Sequence, residues 1–309
     1  MLLKEYRICM PLTTEEYQRG QQYMINRHSD EQSEAGEGVE VVCNEPHYDE
    51  VYGHGKYTEK RIHLNSRLPS WARAVTPSIY VTEKAWNYYP YTVTEYSCHF
   101  LPRLTVFIET RYEDNNGKSA SSNSAKFYKI KDQGITDADL AARDIDHLDI
   151  AYDKAPDKSY KESEDCTKFH SKKTNRGPLR LGWRDNHKPI MCSFKLVLVK
   201  FEVWGLQSRV ESFIQKSIRD ILLVGHRQAF AWVDLWYDMT PENIKQYELE
   251  LQAQTNSKVL GRKRSSRSSS KKSSFASLSS FDSSHPKTPS DSGDHDNDDD
   301  DLFVDATCT

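Results

Sequence analysis

The stretch from Lys195 to Gly205 reads Lys-Leu-Val-Leu-Val-Lys-Phe-Glu-Val-Trp-Gly, inside a strand expected over Met191 to Trp204. Both of its faces are apolar. Phe194, Leu196 and Leu198 fall on one, and Val197, Val199, Phe201 and Val203 on the other. Lys195 shares the valine face, where an ammonium must snorkel to water or meet an anion. Beyond the Trp-Gly corner the period changes. Leu206, Val210, Phe213, Ile214, Ile218, Ile221 and Leu222 recur at the three- and four-residue spacing of an amphipathic helix. An apolar interior with one cation and an aromatic at a turn suits an amphiphile with an anionic head.

The rest of the first 255 residues reads as strands and helices that do not alternate strictly. Met1 to Pro11 reads as a strand entering a helix. Thr13 and Glu16 form a capping box with Leu12 as hydrophobic staple, and the helix is expected to reach about His28. Strands are expected at Val39 to Cys43, Tyr57 to Leu64, Thr92 to Tyr96, Arg103 to Arg111 and Ile145 to Ala151. Residues 44–56 and 112–125 read as loops, and Asp153 to Gly182 as a long surface excursion. Thr240 and Pro241 open a last helix, expected to end near Gln254. This pattern predicts an α+β domain with a mostly antiparallel sheet and helices segregated to one side.

Composition then divides the chain. Of its 309 residues, all six tryptophans lie upstream of residue 256, and Ser, Lys, Arg and Asp dominate downstream. The expected organisation is one domain over residues 1–255 and a disordered, Ser-rich, basic then acidic tail over 256–309. No apolar run is long enough to cross a bilayer, and no secretion signal follows the start. The six cysteines are scattered without a Cys-x-x-Cys pair, so reduced thiols in the cytosol are expected. A formal charge of −4 gives no reason to expect nucleic acid.

Catalytic signatures are missing. There is no phosphate-binding loop, no dinucleotide fingerprint, no nucleophile elbow and no kinase signature set. His47, His54 and His63 are close in sequence but lack metal-ligand spacing, and ordinary surface or satisfied histidines are the simpler reading. The chain therefore reads as a binding protein, with no metal and no cofactor.

Ordered short motifs sharpen this. They are Leu3-Lys4-Glu5-Tyr6-Arg7, Gly36 to Val41 with Asn44-Glu45-Pro46, Gly55 to Lys60, Lys84-Ala85-Trp86-Asn87 with Tyr89-Pro90-Tyr91, and Ile108-Glu109-Thr110. Later come Arg176-Gly177-Pro178-Leu179, Lys195 to Gln207, and His226-Arg227-Gln228 with Trp232 and Trp236. Together they resemble the phosphatidylinositol transfer proteins along nearly all of residues 1–255. The spelling Trp86 to Tyr91 and the serine-rich tail are most similar to the short cytoplasmic members of the second class.

The resemblance implies a curved sheet and long helices enclosing one phospholipid, in a START-like helix-grip architecture. It implies docking on a membrane, opening, exchange of the lipid and carriage through water, with phosphatidylinositol and either phosphatidic acid or phosphatidylcholine as cargo. Inositol contacts map onto Thr58, Lys60, Asn87 and Glu248, whose hydroxyl, ammonium, amide and carboxylate suit a polyol. Phosphate contacts map onto Lys195, Thr110 and Thr92. The family's membrane-inserting aromatic pair falls on Val203 and Trp204, so one aromatic is missing; a Trp packed in the core is the competing reading for Trp204. Ordinary strand, turn and solvated-helix chemistry would otherwise explain the polar residues. A lipid-gated signalling adaptor and a lipid hydrolase are the alternative functions.

The tail carries further candidates. Arginines precede Ser265, Ser266, Ser268, Ser269 and Ser270, the spelling of basophilic kinase sites, whose phosphorylation would recruit 14-3-3 dimers. Near the end, Phe303, Asp305 and Ala306 follow an acidic run and resemble the FFAT peptide read by VAP-type proteins of the endoplasmic reticulum. Leu302, Val304 and Cys308 depart from that motif. The expected location is cytoplasmic and peripheral at membranes, with endoplasmic reticulum contact sites if the tether is used.

Overall fold

The computed structural model describes residues 1–33, 38–63, 80–118, 127 and 129–272, with residue 32 and residues 260–272 described by backbone alone. Its strands are β1 (Leu2–Met10), β2 (Gly38–Asp49), β3 (Gly53–His63), β4 (Tyr80–Tyr88), β5 (Tyr91–Cys98), β6 (Leu101–Glu113), β7 (Asp144–Leu148) and β8 (Met191–Phe201). They form one sheet in the order β2-β3-β4-β5-β6-β8-β1-β7. Neighbours are antiparallel except β1 and β7, which run parallel. The helices are α1 (Thr14–Ser33), α2 (Asp137–Ala142), α3 (Trp183–Asn186), α4 (Gln207–Ala231), α5 (Val233–Trp236) and α6 (Pro241–Lys272). This is the expected α+β architecture with a mostly antiparallel sheet.

Central strand β8 is buried on both faces, as its two apolar rows predict. The Val197, Val199 and Phe201 row pairs with Ile108, Val106 and Leu104 of β6 and faces α4. The Leu196 row turns to the opposite face, where Glu5 and Glu109 are fully buried and answered. Arg7 and Arg143 both lie 2.6 Å from Glu5, and the backbone N–H of Ile130 donates to Glu109 at 2.8 Å. Those carboxylates would be costly without such partners.

Caps start the long helices where the residues predict. The Thr13 N–H donates to Glu16 Oε2 at 2.8 Å, and the Glu16 N–H donates to Thr13 Oγ1 at 3.1 Å. Thr240 and Asn243 make the same reciprocal pair at 3.1 and 3.2 Å before α6. Helix α1 then continues to Ser33 rather than stopping near His28. Its packed side meets α6 through stacked Tyr23 and Tyr247, 4.7 Å apart.

Several expectations fail. Residues 44–56 are not a loop but the turn half of a long hairpin, with only 50–52 between β2 and β3. Pro46 is tolerated because β2 is an edge strand, where a missing N–H breaks no central ladder. Strand β4 had no counterpart in the sequence reading, and β8 ends at Phe201, so Val203 and Trp204 lie beyond it. The Asp153 to Gly182 segment is a packed strap rather than a surface excursion. Cys166, Ser171 and Leu179 are buried, and Arg176 reaches Glu16 at 2.8 and 2.9 Å.

The last helix runs well past Gln254, to Lys272. Thr255 and Val259 are buried, and Lys258, inside the stretch expected to be a disordered tail, lies 2.7 Å from Asp30 of α1. Asn256 clips the helix to β2: its side-chain carbonyl accepts from the Val41 N–H at 2.8 Å, and its amide donates to the Val41 carbonyl at 3.1 Å. The clip sits at the irregularity between Val41 and Cys43, where the β2–β3 ladder shifts register. Packing therefore extends past residue 255. Ser265, Ser266, Ser268, Ser269 and Ser270 fall in the backbone-only part of α6, and Phe303, Asp305 and Ala306 lie outside the described residues. The five described cysteines are free thiols.

Candidate lipid-binding site

The sheet register places the candidate residues on one face in ordered rows. Lys195 lies opposite Thr110, Thr110 opposite Thr92, Thr92 opposite Asn87, and Asn87 opposite Lys56. Directly opposed residues point to the same side of a sheet, so these five form one polar row across β8, β6, β5, β4 and β3. The next row on that face is Thr58, Ala85, Thr94, Ile108 and Val197. The third is Lys60, Glu83, Tyr96, Val106 and Val199. Polarity thus falls along the strands of β6 and β8 while it persists on β3 and β4.

Helices close this face. At the polar corner Thr58, Lys60, Asn87, Thr92 and Glu248 line one cavity with Gln21, Gln22 and Asn26 of α1 and Gln252 of α6. The structure therefore brings together all four proposed inositol residues and one of the three phosphate residues. At the apolar end, Val81, Cys98, Leu104, Val106 and Ile108 face Ile214, Ile218, Ile221 and Leu222 of α4 across a second, nearly hydrocarbon space. The periodic apolar stripe of α4 is what builds that wall.

The polar groups are held by one another. Glu248 Oε1 lies 2.6 Å from Lys56 Nζ and accepts from Asn44 and Gln252 at 3.2 and 3.1 Å. Lys60 Nζ lies 3.2 Å from Glu83 Oε1, close enough for an ion pair but not aligned as a hydrogen bond. Lys56, Glu83, Gln21 and Gln252 were not singled out in the sequence. The spacing of four between Glu248 and Gln252 on one helix was the readable signal for the last of these.

Lys195 and Thr110 sit deeper, with Lys195 Nζ 3.4 Å from Thr110 Oγ1 and 5.7 Å from the Tyr112 ring centre. Lys195 is 2% exposed, so it does not snorkel. His226 of α4 completes this cluster, stacked on Tyr17 with centroids 5.5 Å apart. Its Nδ1 meets the Leu222 carbonyl at 2.7 Å, so that nitrogen carries the proton and Nε2 is an acceptor with no hydrogen-bond partner among the described residues. Burial, helped by the nearby Lys195 charge, pushes its pKa down to about 3. In the sequence His226 stands out only as part of the His226-Arg227-Gln228 motif.

Trp204 is 99% exposed on the loop between β8 and α4, which excludes the core-packed reading. Val203 packs partly against the core. Among the described residues no helix is long and apolar enough to cross a membrane, and no group of His, Cys, Asp and Glu could hold a metal.

The profile of the phosphatidylinositol transfer protein family matches residues 1–253. This chain belongs to that family. Its relatives include cytoplasmic phosphatidylinositol transfer protein 1 of Mus musculus, 62% identical over 260 residues that cover 84% of this chain and 75% of the relative. The Drosophila melanogaster protein of the same name is 58% identical over 260 residues, 84% of this chain and 92% of its own. Membrane-associated phosphatidylinositol transfer protein 2 of Homo sapiens is 39% identical over 267 residues, 84% of this chain but 19% of that longer protein. As a phosphatidylinositol transfer protein the chain is a lipid carrier and not an enzyme, which sets the hydrolase reading aside.

Proposed function

We propose that the protein lifts phosphatidylinositol, and either phosphatidic acid or phosphatidylcholine, from one membrane and delivers it to another through the cytoplasm. The observation that carries this is the polarity gradient on the helix-covered face. A corner rich in hydroxyl, amide and charged groups passes into an apolar wall, the two environments one phospholipid requires. In this reading Thr58, Lys60, Asn87 and Glu248 hold the inositol ring. Lys195, Thr110 and Thr92 hold the phosphate, and the acyl chains lie against α4. The ring hydroxyls take over the contacts that Lys56 and Glu83 make with Glu248 and Lys60. Trp204, with Val203 beside it, docks on the bilayer.

Mass spectrometry of lipids co-purified with Lys60→Ala and Glu248→Ala tests the assignment. Both variants are expected to lose phosphatidylinositol while keeping the second lipid. Unchanged inositol-lipid occupancy would sink it.

The tail extends the proposal to phosphoinositide signalling at contact sites. Phosphorylated Ser265, Ser266, Ser268, Ser269 or Ser270 would be read by 14-3-3 proteins, and Phe303, Asp305 and Ala306 by a VAP domain. Phosphopeptide mapping with adaptor pulldown tests the first, and calorimetry of the terminal peptide against a VAP domain the second. Absent phosphoserine or absent heat removes the respective partner.

A further inference from the structure

We propose that the bilayer-docking edge is built from two loops, and that Phe100 supplies the aromatic anchor which Val203 does not. This rests on the reading of Trp204 as a docking residue and adds a second element to it. Phe100 lies in the turn between β5 and β6; Trp204 lies in the loop between β8 and α4. The register brings the two together at one end of the sheet. Cys98 pairs with Leu101 just past the turn, and Leu104, three residues on, pairs with Phe201, the last residue of β8.

Exposure marks the same edge. Trp204 is 99% exposed, Phe100 54% and Leu206 50%. Three large apolar side chains held out from two adjacent loops form a patch, which a protein that stays in water has reason to avoid. Gly205, at φ +81°, turns the chain directly after Trp204 in the left-handed region that favours glycine, and a Cβ there would meet nothing within 4 Å.

Two further observations favour a bilayer over a protein as occupant. The apolar end of the cavity, lined by Val81, Cys98 and Leu104, lies at this same end of the sheet. Acyl chains would therefore leave the cavity beside the residues that enter the membrane. The charge also fits. Residues 99–105 and 200–209 carry three cations, Arg103, Lys200 and Arg209, against one carboxylate, Glu202. Glu202 is engaged from within the edge: Lys200 Nζ lies 2.9 Å from its carboxylate, and Arg103 donates to its backbone carbonyl at 3.3 Å. Aromatics flanked by cations suit the interface of an anionic leaflet.

The test is flotation of the full chain with vesicles of phosphatidylcholine and phosphatidylserine. Phe100→Ala is expected to lower vesicle partition about fivefold, Trp204→Ala more, and the double variant by about the product. The decisive variant adds Val203→Trp to Phe100→Ala, which is expected to restore partition by returning an aromatic to the edge. Retention of phosphatidylinositol by Phe100→Ala is the check that the variant is folded. Native partition of Phe100→Ala alongside weakened Trp204→Ala overturns the two-loop edge and leaves Trp204 docking intact. Native partition of both variants overturns the docking reading as well and assigns the patch to a protein partner.

Discussion

Lys56 and Glu248 meet at 2.6 Å, joining β3 to α6 across the polar corner of the cavity. The Lys56 side chain is 32% exposed and that of Glu248 14%, so the pair is neither fully screened nor fully desolvated. A double-mutant cycle with Lys56→Met and Glu248→Gln is expected to give a coupling of about 1 kcal/mol in urea unfolding, at the upper end of exposed pairs. Additive effects of the two changes would show that the contact adds no stability.

Lipid exchange should respond to the same pair. Lys56→Met removes a tie that holds α6 over the cavity and leaves the Glu248 carboxylate available to a ligand. Vesicle-to-vesicle transfer of labelled phosphatidylinositol is expected to run faster in Lys56→Met and slower in Glu248→Gln. Equal rates would mean that α6 does not gate the corner through this contact.

Acid should weaken the fold through His226. Its pKa in the folded protein is about 3 against an ordinary 6.5, because burial disfavours the imidazolium. The unfolded chain therefore binds a proton that the folded one refuses. The contribution is fully present above about pH 6.5 and is lost as pH falls from there toward 3, with a limiting slope of about 1.4 kcal/mol per pH unit. His147, also depressed by burial, adds a smaller loss of the same sign. His226→Gln is expected to flatten the stability profile between pH 6.5 and 5, above the range where most carboxylates titrate. A profile parallel to that of the native chain would refute the assignment.

Gly20 separates two opposed effects. Glycine to alanine inside a helix gains about 1 kcal/mol of propensity. A Cβ at Gly20 would stand 2.6 Å from Cζ2 of Trp236, a fully buried indole with little room to retreat. Overpacking of this kind costs about 1–3 kcal/mol, and the buried ring puts this site at the upper end. Gly20→Ala is therefore expected to lower stability by about 1–2 kcal/mol net, read by thermal unfolding. A rise in the midpoint would show that Trp236 and α5 yield easily.

What could be read from the residues was what local chemistry decides. The caps at Thr13 and Thr240, the two apolar rows of β8 and the stripe on α4 are each written in a few neighbouring positions. What escaped depends on distant partners. The β2–β3 hairpin looked like a loop because Pro46, Gly53 and Gly55 are turn residues; its edge position makes the proline tolerable. Strand β4 carries inward Glu83, which breaks apolar alternation and makes sense only beside Lys60. Thr58 and Asn87 stand in motifs shared with the family, and Glu248 is implied by the resemblance alone. Their convergence on one cavity follows from register and from the placement of α6, neither of which a single sequence spells out.

Helix α6 gives the protein a lever. Val259, the last residue of the helix whose side chain is described, is buried, and the helical backbone continues for thirteen residues to Lys272, about 20 Å of further length. The fulcrum is close to the Asn256 clip on β2, and the short arm ends at Glu248 over the polar corner. Asn256 and Glu248 thus belong to one continuous helix, so a displacement of α6 would reach the β2 clip and the polar corner together.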